Sequence, residues 1–141
     1  MKQKTISLKL EKTFTDITEI LNGLVRDMQE GLVTISTMHT TCGLKIMEDE
    51  ILSLHDVDEF LRHLIPCDVD YAHDKINLRQ VPLNERINGC SHIRMLFFDS
   101  SITIPITKGK LALGKWQTLF AVEMDGTPPR ERTFILTITG E

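Results

Sequence analysis

Apolar Ile6, Leu8 and Leu10 alternate with polar Thr5, Ser7 and Lys9, the two-residue period of a half-buried strand over residues 5–10. From Ile17 the period lengthens. Ile17, Ile20, Leu21, Leu24, Val25 and Met28 fall on one helical stripe, with Asp16 and Glu19 spaced as a capping box and Gly31 placed to end the helix. Leu32–Met38 is short and β-branched, which predicts a strand, and Leu44–Met47 continues in extended form beyond the polar run His39-Thr40-Thr41-Cys42-Gly43. A second helix is predicted from Glu50 to Leu64, where Ile51, Leu54, Val57, Leu61 and Leu64 recur at helical spacing and Pro66 forbids continuation.

Residues 66–84 carry neither period and read as a long connecting loop, of a size that is usually functional or mobile. A third helix is predicted over Glu85–Leu96, with Gly89 inside it as a weak point. Beyond it the pattern turns to β: Ile102, Ile104 and Ile106 alternate within Ser101–Thr107, Lys108-Gly109-Lys110 makes a turn, and Leu111–Leu113 returns. Strands over Trp116–Met124 and Thr133–Thr139 complete the set, joined through Gly126-Thr127-Pro128-Pro129. No repeat, low-complexity tract or linker interrupts this order.

With 141 residues, 41% of them hydrophobic, the chain suits one domain with a sizeable core. Sixteen Lys and Arg against 20 Asp and Glu give a net charge of −4, which leaves no basic excess to follow a phosphate backbone and argues against nucleic acid as a partner. Neither a signal-peptide apolar run nor a membrane-length span is present, so a cytoplasmic protein with no membrane partner is expected. Cys42, Cys67 and Cys90 are odd in number and widely spaced, which argues against a disulfide framework and fits a reducing compartment.

Candidate chemistry concentrates in the predicted irregular segments. His39 follows a strand, His73 lies in the long loop, and His92 lies in or beside the third helix. Three imidazoles with an open position would suit a zinc-type ion, but no local ligand motif joins them and their spacing leaves convergence open. His55 and His63 sit on the charged side of the second helix and read as solvated. In the run around Cys42, Thr40, Thr41 and the thiol offer donors and a nucleophile, and a polar loop satisfying its own backbone is the competing reading. Asp49 and Glu50 suit a helix N-terminus, whereas Glu48 is a candidate general base or an orienter of an imidazole. Arg94, Arg130 and Arg132 are candidate phosphate contacts or surface ion-pair partners.

At these residues the chain resembles the YjbQ-like family, small proteins described as secondary thiamine-phosphate synthases. The match is carried in order by His39-Thr40-Thr41-Cys42-Gly43-Leu44, Glu48-Asp49-Glu50, Tyr71-Ala72-His73-Asp74 and Asn88-Gly89-Cys90-Ser91-His92. It continues through Ile104-Pro105-Ile106, Gly109-Lys110-Leu111, Leu113-Gly114-Lys115-Trp116-Gln117, Glu123-Met124-Asp125-Gly126 and Gly140-Glu141. Any one block is weak; their order along essentially the whole chain is specific.

The resemblance implies a compact α+β fold, a single domain over 1–141 with a β-sandwich-like core and about three helices, assembled as a homotrimer. It also implies a divalent metal, zinc first, on His39, His73 and His92, with Glu48, Trp116 and Gln117 around the same cavity. Two departures bear on that site. Cys90 stands where the family block usually has the first histidine of N-G-H-x-H, which makes its thiolate a further candidate ligand; in the loops, Ile51 replaces a usual Pro after the acidic cluster and Gly126-Thr127-Pro128-Pro129-Arg130 a usual Gly-Pro-Arg. The reaction implied is formation of thiamine phosphate as a secondary activity. The alternatives are a metal-dependent hydrolase or transferase acting on another small phosphorylated molecule, and a non-enzymatic trimer that binds a metal or ligand.

Overall fold

A computed structural model describes residues 1–126 and 129–141. The chain runs β1 (Lys2–Leu10), β2 (Phe14–Asp16), α1 (Thr18–Val25), β3 (Glu30–Thr37), β4 (Cys42–Met47), α2 (Ile51–Leu64), α3 (Gly89–Arg94), β5 (Ser101–Thr107), β6 (Lys110–Leu111), β7 (Thr118–Glu123) and β8 (Arg130–Gly140). Single 3₁₀ turns occupy Ala72–Asp74, Ile76–Leu78 and Met95–Phe97. Two antiparallel sheets form, one in the order β1-β8-β3-β5-β6 and the other β2-β7-β4. This is the expected α+β architecture with three helices.

The smaller sheet is apolar on both faces. Leu44, Leu119 and Ala121 join α1 residues Leu21 and Val25 and the inward row Val33, Ile35, Ile104, Phe134 and Leu136 of the large sheet. The alternate residues Phe14, Phe120, Val122 and Met124 pack against Leu61, Leu54 and Val57 of α2. Because β7 is covered on both sides, its sequence reads as a continuous apolar run until Glu123, which falls in the register of Leu119 and Ala121 and faces the large sheet.

Several boundaries differ from the sequence expectation. α1 stops at Val25, not Met28, because the backbone beyond it has other partners: the N–H groups of Gln29 and Glu30 donate to the Glu141 carbonyl, and the carbonyls of Met28 and Gln29 accept from Gly109 and Lys108. The capping box does not form, since Asp16 accepts from the Thr18 N–H and Glu19 accepts from Asn22. Gly31 ends no helix; it lies in β3, where a Cβ would sit 2.1 Å from the Thr139 carbonyl oxygen of β8. Lys108 and Gly109 both have positive φ (50° and 75°), the backbone of a two-residue hairpin turn between Thr107 and Lys110.

Glu50 caps α2, its carboxylate accepting from the N–H groups of Leu52 and Ser53. The third helix begins only at Gly89, since the residues before it are drawn into polar ties described below. Part of the last predicted connection, Thr127-Pro128, lies outside the described residues.

The cysteine expectation is corrected. Cys67 and Cys90 are joined by a disulfide across 23 residues of chain, and Cys42 alone is free, buried in the core at the start of β4. Sequence distance concealed the pairing, since it is the return of α3 onto the end of α2 that brings the two α-carbons to 5.2 Å. No helix among the described residues is long and apolar enough to cross a membrane.

Candidate functional site

Glu123 at the end of β7 and Arg132 on β8 form a buried ion pair: Arg132 Nε donates to Oε2, and Nη2 donates to Oε1 at 3.0 Å. Arg132 occupies the inward register of Phe134, Leu136 and Ile138, so the folding of β8 carries its guanidinium under the surface. Glu123 holds the Arg132 guanidinium in its charged form, moving its pKa further up. Thr41 Oγ1 accepts from Nη2 at 3.4 Å, and Glu123 Oε1 also accepts from the Asp125 N–H at 2.8 Å. Both charges are thus paired and hydrogen-bonded, as burial requires.

His39 closes one side of this pair. Its Nε2 accepts from the Thr133 N–H at 2.9 Å, while Nδ1 lies 3.3 Å from Arg132 Nη1, a group that only donates. A charged ring would present N–H groups to donors on both sides. Burial, then the charge of Arg132, pulls the His39 pKa below its ordinary value, with Glu123 opposing.

On the other side Asp125, also buried, gathers the chain that precedes α3. Its carboxylate accepts from Arg86 Nε at 3.1 Å and Asn88 Nδ2 at 3.1 Å, and its carbonyl accepts from Arg130 Nη1 at 3.0 Å. Ser91 donates to the Met124 carbonyl, and Asp74 accepts from the Gly89 N–H at 2.8 Å. A side chain at position 89 would meet Tyr71 Cβ at 2.7 Å, so glycine permits this close approach. These ties put His73 and His92 ring against ring, with centroids 4.5 Å apart. Burial, followed by the charge of His73 and then of Arg79, lowers the His92 pKa, with Asp125 and Asp74 opposing. Arg79 donates to the His73 carbonyl at 3.0 Å.

The expected site residues therefore divide. His73 and His92 come together; His39 and Thr41 belong to the adjoining Glu123–Arg132 cluster, and Arg130 to the Asp125 cluster. Cys42 is fully buried, and burial pushes its thiol up to about 11, which disqualifies it as a nucleophile. Glu48 and Thr40 are exposed. Arg94 is buried and gives two N–H bonds to the Ile65 carbonyl, so it closes the end of α2 instead of meeting an anion. Trp116 is exposed under Lys115, and Gln117 accepts from the Gly114 N–H within its own turn. Glu123, Asp125 and Arg86 were missed. The available signal was a charge ending the apolar run of β7 and an arginine in the inward register of β8.

A zinc-type ion takes three or four N, S or O donors. His73 and His92 supply two. The Cys90 sulfur is spent in the disulfide, correcting its expected place among the ligands, and both His39 nitrogens meet N–H donors. Among the described residues no three His, Cys, Asp or Glu side chains are gathered as a metal-holding group. The three-histidine centre is not assembled by this chain's own residues as they stand.

Two antiparallel sheets with a helix on the outer face of the smaller one, and a polar cluster where β7 and β8 meet the loop before α3, define a class of small α+β protein. Within it, the chain belongs to the YjbQ-like UPF0047 family, whose model, described as UPF0047 protein YjbQ-like, matches residues 2–141. It is 36% identical over 121 residues to a UPF0047 protein of Archaeoglobus fulgidus, covering 86% of each chain. It is 30% identical to UPF0047 protein YjbQ of Escherichia coli O157:H7, over 99% of this chain and 98% of that one. Among solved structures, the hypothetical protein APE1520 of Aeropyrum pernix K1 superposes with a TM-score of 0.83 at 29% identity, covering 100% of both chains.

Proposed function

We propose that this protein binds and transforms a small phosphorylated molecule at the face formed by His73, His92, Arg79, Arg86 and Arg130. The observation that carries the reading is the His73–His92 pair at 4.5 Å. Burial and the neighbouring charge of His73 lower the pKa of His92, which favours a neutral base there at neutral pH. Arg86 keeps half of its side chain exposed while Asp125 fixes its Nε, so its remaining N–H groups form a pre-oriented fork for a phosphoryl oxygen. The Glu123–Arg132 pair is the rigid support behind this face.

Formation of thiamine phosphate, with displacement of pyrophosphate, is the particular reaction the family resemblance suggests, and the guanidinium groups would stabilise the departing charge. The homotrimer belongs to the same reading; light scattering should then give three times 16.1 kDa.

Calorimetric titration with inorganic pyrophosphate and with thiamine phosphate tests the site. Binding should weaken about tenfold or more in Arg86→Gln, the loss of a charge-assisted hydrogen bond. His92→Asn should bind nearly as well as the parent but lose turnover of the precursors. Absence of binding by either phosphate at millimolar concentration, or equal affinity in Arg86→Gln, overturns the reading.

A further inference from the structure

The segment between α2 and α3 holds three of the side chains just discussed, His73, Arg79 and Arg86, yet it has almost no apolar anchorage: no residue from Pro66 to Ile87 is buried. Most of its hydrogen bonds are local and internal: Tyr71 donates to the Pro66 carbonyl, Arg79 to the His73 carbonyl, and five backbone N–H groups close short turns within the segment. Its ties outward include Asp74 to the Gly89 N–H, Arg86 to Asp125, and the Cys67–Cys90 bond. A segment so held has a low opening free energy, and its covalent staple carries a large share of its order.

The two sulfurs differ in access. Cys90, the second residue of α3, is buried, only 7% exposed. Cys67 is exposed and opens on a cleft of about 440 Å³ lined with Arg62, Pro66, Asp68 and Arg94. The two guanidinium groups bring positive charge to that cleft, partly offset by Asp68 and by Asp58, which pairs with Arg62 at 2.6 Å. Such a setting admits a small thiolate to one sulfur of the pair and shields the other.

We propose that Cys67–Cys90 is a thiol–disulfide exchange site for a low-molecular-weight thiol, attacked at Cys67, and that its opening frees the 66–88 segment and separates His73 from His92. The thiolate attacks Cys67 Sγ; the S–S bond breaks, and Cys90 leaves as a thiolate that takes a proton. A second thiol then attacks the mixed disulfide, releasing the Cys67 thiol and the oxidised small-molecule disulfide. Two electrons pass to the protein and two thiols are oxidised. The exchange stands independently of the phosphate reading; only its consequence for activity rests on that reading.

The test uses reduced glutathione as the thiol, with rapid acid quenching and peptide mass spectrometry, beside limited trypsin digestion of the oxidised and dithiothreitol-reduced protein. The mixed disulfide should appear on the Cys67 peptide. Cleavage after Lys75, Arg79 and Arg86 should be about tenfold or more faster in the reduced protein. A Cys67→Ser/Cys90→Ser variant should cleave like the reduced form, while circular dichroism keeps the same spectrum. Glutathione on Cys90, a bond that resists both thiols until the protein is unfolded, or equal cleavage rates in oxidised and reduced protein would each overturn the proposal. If pyrophosphate fails to bind either redox form while these results hold, the phosphate reading falls and the exchange site remains.

Discussion

Arg132→Met isolates the energetics of the buried pair. In the folded chain Glu123 is 2% exposed, and its carboxylate receives two N–H groups from Arg132 and one from the Asp125 backbone. At ~3 Å and an effective dielectric constant of about 20, the pair attraction is roughly 5 kcal/mol, of the same order as the cost of bringing the two charges out of water. Removing one partner therefore leaves that cost uncompensated, and the expected destabilisation is about 3–5 kcal/mol. A double variant, Arg132→Met with Glu123→Leu, buries no charge and loses chiefly the acceptor of the Asp125 N–H, about 1–2 kcal/mol. Urea titration followed by circular dichroism reads the difference. With a slope of roughly 2 kcal/mol/M, the single variant's midpoint should fall by about 2 M and the double variant's by under about 1 M. A single variant that loses less than about 1 kcal/mol, or a double variant that loses the sum of its two singles, would refute the claim that the charges sustain each other.

Three further outcomes follow from the same geometry. Gly31→Ala should cost about 1–3 kcal/mol in a urea titration, because its Cβ would meet the Thr139 carbonyl oxygen at 2.1 Å, and an unchanged midpoint would show that the β3–β8 strands part freely. With the disulfide intact, a thiol reagent at pH 8 should label no cysteine in the folded protein and Cys42 alone in urea, since Cys42 is fully buried and its thiol is pushed up to about 11; rapid native labelling would contradict both. His39 has a folded pKa below its ordinary 6.5, so the stability it contributes is present above pH 6.5 and is lost as the pH falls through the folded value. Urea midpoints between pH 7 and pH 5 should decline less in His39→Gln than in the parent, and parallel declines would remove His39 from the acid response.

The elements legible in the sequence were those with an unmixed period. β1, β5 and α2 each bury one face, and their apolar positions repeat every two residues or along a helical stripe. The chain beyond Val25 also continues the stripe, to Met28, and yet leaves the helix. Its backbone groups are claimed by the Lys108-Gly109 turn and by Glu141, partners about 80 and 110 residues away, and no local pattern encodes them. β2, three residues long, is too short to establish a period at all.

The site divides on the same physical line. His73 and His92 stood out as candidates in the residue pattern, but their meeting did not, because the contact depends on Asp125 and Asp74 drawing the chain around Gly89 into place. Glu123 and Arg132 left a more direct trace: in a strand whose alternate residues are Phe134, Leu136 and Ile138, an arginine in phase with them must either break the strand or find a buried carboxylate. Glu123 occupies the corresponding place in β7, in phase with Leu119 and Ala121. Two opposite charges, each in the core register of a different sheet, imply one another. That constraint explains why the cluster forms where the two sheets converge, and why the histidines and exposed arginines beside it rest on a support that cannot readily shift.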